Sequence, residues 1–130
     1  MSYAYDDGNV FARILRGEIP CERVLETEHA LAFRDVRPQA PVHVLVIPKG
    51  PYVTLDHFAA EGSDAELADF MRAVGEVARI TGARPLDAAA EGPSGYRTLT
   101  NAGEAAVQEV PHFHMHLVAG RPLGRILPAG

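Results

Sequence analysis

The chain has 130 residues, 47% of them hydrophobic and 22% charged, with a formal net charge of −5. This is the balance of a globular domain long enough to bury a core, and it excludes a disordered or membrane-embedded chain. The acidic charge argues against a protein that grips a nucleic-acid backbone, although a few backbone N–H groups suffice to hold one phosphate. The single cysteine, Cys21, excludes an intrachain disulfide and any Cys-x-x-Cys motif, which suits a reducing compartment. The first seven residues are polar and acidic, and no apolar run approaches membrane-spanning length. A cytoplasmic location with no membrane partner is expected. One domain over residues 1–130 is expected, with residues 1–8 flexible and residues 120–130 forming an extended tail.

In chain order, residues 9–16 read as a short helix: Asn9 can cap it, Val10, Phe11, Ile14 and Leu15 form an apolar stripe, and Gly17 stops it. Residues 23–26 and 30–35 read as strands joined by a turn at Thr27-Glu28-His29. Residues 36–41 hold two prolines and form a rigid loop. Residues 42–47 are β-branched and apolar, so a buried strand, ended by Pro48-Lys49-Gly50-Pro51. The main helix covers residues 64–81: Ser63 and Glu66 form a capping box, and Leu67, Phe70, Met71, Val74, Val77 and Ala78 recur at helical spacing. Residues 83–94 read as a Pro/Gly/Ala-rich loop, 96–101 as a strand and 102–109 as a loop. These elements predict an α+β domain with a five-stranded, mostly antiparallel sheet, one long and one short helix, and the helices on one side. An open edge strand can pair with a second copy of the chain.

The most informative run is Val110-Pro111-His112-Phe113-His114-Met115-His116-Leu117-Val118. Its alternation predicts a strand with His112, His114 and His116 on one face, roughly 6–7 Å apart, and Phe113, Met115 and Leu117 on the core side. Three imidazoles in a row can be a wet strand face, a metal site, or nucleophilic and acid–base groups. Their number, three of six histidines in the chain, favours the last. Upstream, Asp35 ends a strand, and a Pro-bracketed loop leads to His43 on the next.

The run His112-Phe113-His114-Met115-His116-Leu117-Val118 resembles the signature of the histidine-triad family. The segment 33–49, Phe33-Arg34-Asp35-Val36-Arg37-Pro38 through His43-Val44-Leu45-Val46-Ile47-Pro48-Lys49, is similar to that family's second hallmark. Gly17-Glu18-Ile19-Pro20 and the tail Gly120-Arg121-Pro122-Leu123-Gly124 resemble its Hint-like, purine nucleotide-binding branch in a bacterial form.

The resemblance implies a histidine-triad fold with its sheet extended across a homodimer. It also implies hydrolysis of purine nucleoside phosphoramidates, AMP joined to an amine or to lysine, through a nucleotidyl-histidine. By the same resemblance His114 is the nucleophile, His112 orients it, His43 supports it through a hydrogen-bond relay, and His116 contacts the phosphate and helps protonate the leaving group. Asp35 is the acceptor for the ribose hydroxyls. Phe11, Ile19, Phe33, Val36 and Leu45 surround the base, and Asn101, Val107, Gln108 and Glu109 form the phosphate-side loop. Val107 stands where the family most often has Gly, Glu109 replaces a Ser or Thr of some members, and Arg34 stands where some relatives carry His. Asn9 and Ala12 occupy the positions of a zinc-binding cysteine pair, so no metal and no cofactor are expected. Purine nucleotides are the expected partners. The alternatives are a Fhit-like dinucleoside polyphosphate hydrolase and a nucleotide-sensing scaffold with incidental catalysis.

Overall fold

The computed structural model describes residues 3–88 and 92–128. The ends of the expected N-terminal arm and tail (residues 1, 2, 129 and 130) and part of the expected 83–94 loop (residues 89–91) lie outside the described residues. In chain order the elements are α1 (Val10–Leu15), β1 (Arg23–Glu26), β2 (Ala30–Arg34), β3 (Val42–Pro48), α2 (Leu55–Glu61), α3 (Asp64–Ile80), β4 (Tyr96–Leu99) and β5 (Met115–Ala119), with a short 3-10 turn over Glu104–Ala106. All strand pairs are antiparallel, in the order β1-β2-β3-β5-β4.

Side chains alternate across a strand, so each face of the sheet takes every second residue. On one face, Ala30 and Ala32 of β2 and Val44 and Val46 of β3 lie under Phe70, Ala73, Val74 and Val77 of α3, with Phe58 of α2 and Phe113 and Leu117 alongside. On the other, Leu31 and Phe33 of β2 and Leu45 and Ile47 of β3 lie under Phe11 and Ile14 of α1. Helices therefore cover both faces, a correction to the one-sided arrangement read from the sequence. Double coverage also explains why β3, apart from His43, is apolar on both faces and does not alternate.

The caps form as the sequence predicts. Asn9 Oδ1 accepts from the N–H groups of Phe11 and Ala12, each at 2.9 Å. Ser63 and Glu66 form the reciprocal capping box of α3. The α2 helix is absent from the sequence reading. Of its seven residues only His57 and Phe58 are buried, too few to display a helical period. Thr54 caps it. The N-terminal arm, expected to be flexible, is tied at two points. Tyr3 stacks on His57 with ring centroids 4.9 Å apart and donates its hydroxyl hydrogen to Asp56, and Tyr5 reaches His112. Among the described residues no helix is long and apolar enough to cross a membrane.

Candidate functional site

The histidine row does not lie wholly on a strand. β5 begins at Met115, so only His116 is in the sheet; His112 and His114 belong to the segment leading into it. That segment is pinned from the core side: Phe113 is buried between Phe58 and Phe70, and its N–H donates to the Tyr52 carbonyl at 2.7 Å. The expected core side of Phe113, Met115 and Leu117 is thus the side that meets the core. Leu45 of β3 pairs with His116 in register, which puts the His116 side chain on the α1 face with Leu45.

The hydrogen bonds fix which nitrogen of each ring carries the proton, because a carbonyl can only accept and a backbone N–H can only donate. His112 donates from Nε2 to the Pro48 carbonyl at 2.8 Å and accepts at Nδ1 from the Tyr5 hydroxyl at 2.7 Å. His114 donates from Nδ1 to the His112 carbonyl at 2.7 Å. Its Nε2 is therefore the unprotonated nitrogen of a neutral ring. His43 accepts at Nδ1 from the Gln39 N–H at 3.0 Å, so its proton is on Nε2, 2.9 Å from His116 Nδ1. The His116 proton is then on Nε2. The nucleophile candidate is held by the carbonyl of His112, and the direct hydrogen bond of His43 is to His116.

Burial keeps these rings neutral. Desolvation pushes His112 down to about 4, and His116 to about 4 with further help from neighbouring His114 and His43. His114 and His43 are also lowered, mainly by burial. A stability consequence follows for His112, which is fully buried. Its folded value near 4 lies below the ordinary 6.5, so the unfolded chain takes up the proton first as the pH falls. The stability that depends on neutral His112 is intact above its ordinary value and is lost as the pH falls toward its folded one. The expected loss at pH 5 from this ring alone is about 2 kcal/mol, to be read from urea denaturation at pH 7 and pH 5. An unchanged midpoint would show that the folded protein carries His112 protonated.

A cavity of ≈ 660 Å³ opens between α1, the β2–β3 loop and the loop before the histidines. Of the residues expected at the site, Phe11, Ile19, Phe33, Asp35, Val36, Leu45, Asn101, Val107, Glu109, His114 and His116 line it. Three do not. His112 is buried behind it, and His43 lines a second cavity. Gln108 braces the loop: its Nε2 donates to the carbonyls of Val53 at 2.7 Å and Val110 at 3.0 Å, and its Oε1 accepts from the Gly103 N–H at 2.9 Å. Tyr5 and Gln39 carry no site signal in the sequence. Tyr5 lies in an arm without periodic signal, and Gln39 acts through its backbone, which no side-chain pattern reveals.

Val107, at φ 57 and ψ 56, is the one non-glycine residue with positive φ among those described. A β-branched residue there carries strain of about 1–2 kcal/mol, which explains why glycine suits the position. Val107→Gly is expected to leave stability unchanged or raise it by up to about 1 kcal/mol, since relief of strain outweighs glycine's entropic cost. A urea midpoint lowered by the usual glycine penalty would contradict the strained conformation.

Asp35 Oδ2 lies 3.4 Å from His43 Nε2, and Asp35, His43 and His116 each offer a ligand atom within 4.8 Å of the others. These residues could hold a cation. The His43–His116 hydrogen bond already occupies two of those atoms, so a cation would have to displace the shared proton. Asn9, at one of the cysteine positions named above, is committed to its helix cap.

The sequence model of the HIT domain matches residues 16–123. The chain belongs to the HIT family. It is 59% identical to an uncharacterised HIT-like protein of Azospirillum brasilense over 130 residues, all of both chains. It is 37% identical over 118 residues to the purine nucleoside phosphoramidase of Escherichia coli K12, covering 91% of this chain and 92% of the relative. Among solved structures, a HIT family hydrolase from Clostridium thermocellum superposes with a TM-score of 0.76 at 35% identity, covering 94% of this chain and 99% of that one. A histidine triad nucleotide-binding protein from Candida albicans gives 0.77 at 32% identity, covering 95% and 85%. The five-stranded antiparallel sheet is thus the fold of its HIT family neighbours, and the general class is that of HIT family hydrolases.

Proposed function

We propose that this protein hydrolyses purine nucleoside phosphoramidates through a nucleotidyl-histidine on His114. The observation that carries the reading is the fixed tautomer of His114, whose Nδ1–H is held by a carbonyl, on the wall of the main cavity. A neutral imidazole with its lone pair on Nε2 is a competent nucleophile at neutral pH. In the first step that lone pair forms a bond to the α-phosphorus and the P–N bond to the amine breaks. The departing nitrogen accepts a hydrogen bond from His116 Nε2–H, whose Nδ1 is backed by His43 Nε2–H, and takes its proton from solvent. In the second step water forms a P–O bond, the P–Nε2 bond breaks, and the proton lost by water returns to solvent, so His114 and His116 end as they began. Catalysis by position and hydrogen bonding is what phosphoryl transfer needs, and no step calls for a metal.

Asp35 accepts the ribose hydroxyls in this reading. Phe11, Ile19, Phe33, Val36 and Leu45 enclose the base, and the loop carrying Asn101, Val107, Gln108 and Glu109 faces the phosphate. The relative named purine nucleoside phosphoramidase supports the substrate class. The exposed β4 edge, with Tyr96 and Leu99 uncovered, suits pairing with a second copy, so a homodimer is proposed, as is a cytoplasmic location.

The test is turnover of AMP joined to a fluorescent amine, beside diadenosine polyphosphates, with EDTA present throughout. Turnover of the phosphoramidate in preference to the polyphosphates is expected. The reverse preference would move the protein to Fhit-like chemistry, and AMP binding without turnover of either would make it a nucleotide sensor.

A further inference from the structure

We infer that the leaving-group side of this site selects an amine whose far end carries a carboxylate, recognised by Arg97 and Arg121. This rests on the phosphoramidase reading and adds to it the class of amine. A second cavity, of ≈ 280 Å³, lies against the first and shares Gln39, Asn101 and His116 with it. His116 therefore stands between the two, its Nε2–H placed for the nitrogen that leaves. A nucleotide filling the larger cavity would point its leaving group into the smaller one.

The walls of that smaller cavity have a particular chemistry. Leu99, Val118 and Leu123 offer an apolar side to a short stem, while Arg97 and Arg121 supply two positive charges and no Asp or Glu lines it. Arg97 donates to the carbonyls of Gly124 at 2.7 Å and Arg125 at 3.3 Å; Arg121 donates to those of Gln39 and Pro122, each at 2.9 Å. Neutral carbonyls hold the two guanidiniums in place and leave their charge uncancelled. Among the described residues the ion pairs of arginine involve Arg13, Arg16, Arg23, Arg34, Arg79 and Arg84, not these two. Neither β4 nor residues 110–130 contain an Asp or Glu, so this corner is cationic in a chain of net charge −5. A guanidinium keeps its charge and has N–H donors left for a carboxylate.

The experiment compares two substrates of the intact protein: AMP joined through its phosphoramidate nitrogen to 4-aminobutyrate, and the same compound with the carboxylate capped as a methylamide. At low ionic strength the carboxylate substrate is expected to have a kcat/KM about tenfold higher, a gap that shrinks with added salt. The ratio should fall to near one in the double variant Arg97→Gln/Arg121→Gln and persist in Arg97→Lys/Arg121→Lys. A wild-type ratio of one or less overturns the inference without touching the reaction. So does a ratio that survives the double Gln substitution. If neither compound turns over while AMP still binds, the phosphoramidase reading falls and takes the leaving-group assignment with it.

Discussion

Replacing His114 with alanine is expected to lower kcat for an adenosine phosphoramidate by at least about 10⁴-fold, with AMP affinity changed little. The reason is specific to this nitrogen. His114 Nε2 is the one that would become bonded to phosphorus, and water in the vacated space lacks both its position and its nucleophilicity. His116 cannot take over, because its Nδ1 accepts from His43 and its free position carries a proton. The cost to the fold should be modest: the site opens onto the cavity, so water can fill the gap and meet the His112 carbonyl that loses its donor. Stopped-flow or steady-state turnover measures the first effect, and calorimetric titration with AMP the second. Loss of turnover together with AMP binding would indicate a damaged pocket. Retained turnover would remove His114 as the nucleophile.

Legibility in the sequence followed the strength of each local signal. The α3 capping box and the apolar stripe behind it were readable because propensity, period and cap agree at Ser63, Glu66 and Phe70. Four of the five strands were readable to within two residues at each end, because apolar and β-branched residues sit between turn residues. The two-sided cover of the sheet was not, since a six-residue helix shows a stripe but not the face it meets. Alternation correctly put Phe113 and Leu117 together in the core, yet it overextended the strand. The segment 112–114 keeps the alternation through burial on both sides, without strand pairing. The residues around the triad divide in the same way. Histidines and Asp35 announce themselves by type. The carbonyl of His112, the N–H of Gln39 and the hydroxyl of Tyr5 act through three-dimensional placement that no pattern in one chain encodes.

Phe113→Ala is expected to destabilise the fold by about 3–5 kcal/mol, a large part of the roughly 5–15 kcal/mol that holds a domain of this size. The ring is 1% exposed, with its centroid 5.5 Å from that of Phe58 and 5.1 Å from that of Phe70, so truncation opens a cavity in the α3-side core. Its effect should reach the chemistry as well, because Phe113 separates the two residues whose backbone and ring form the His112–His114 bond. Phe113→Leu separates the two consequences. Leucine keeps most of the apolar volume and should cost no more than about 2 kcal/mol, leaving a folded protein in which the flat-ring contacts are gone. In that variant a reduced kcat with unchanged AMP affinity is expected, since Phe11, Phe33 and Leu45, proposed to enclose the base, lie on the opposite face of the sheet from this ring. Urea denaturation and the kcat-against-KM split are the measurements. A Phe113→Ala cost below about 1 kcal/mol would mean that the ring is not what pins the triad segment to the core.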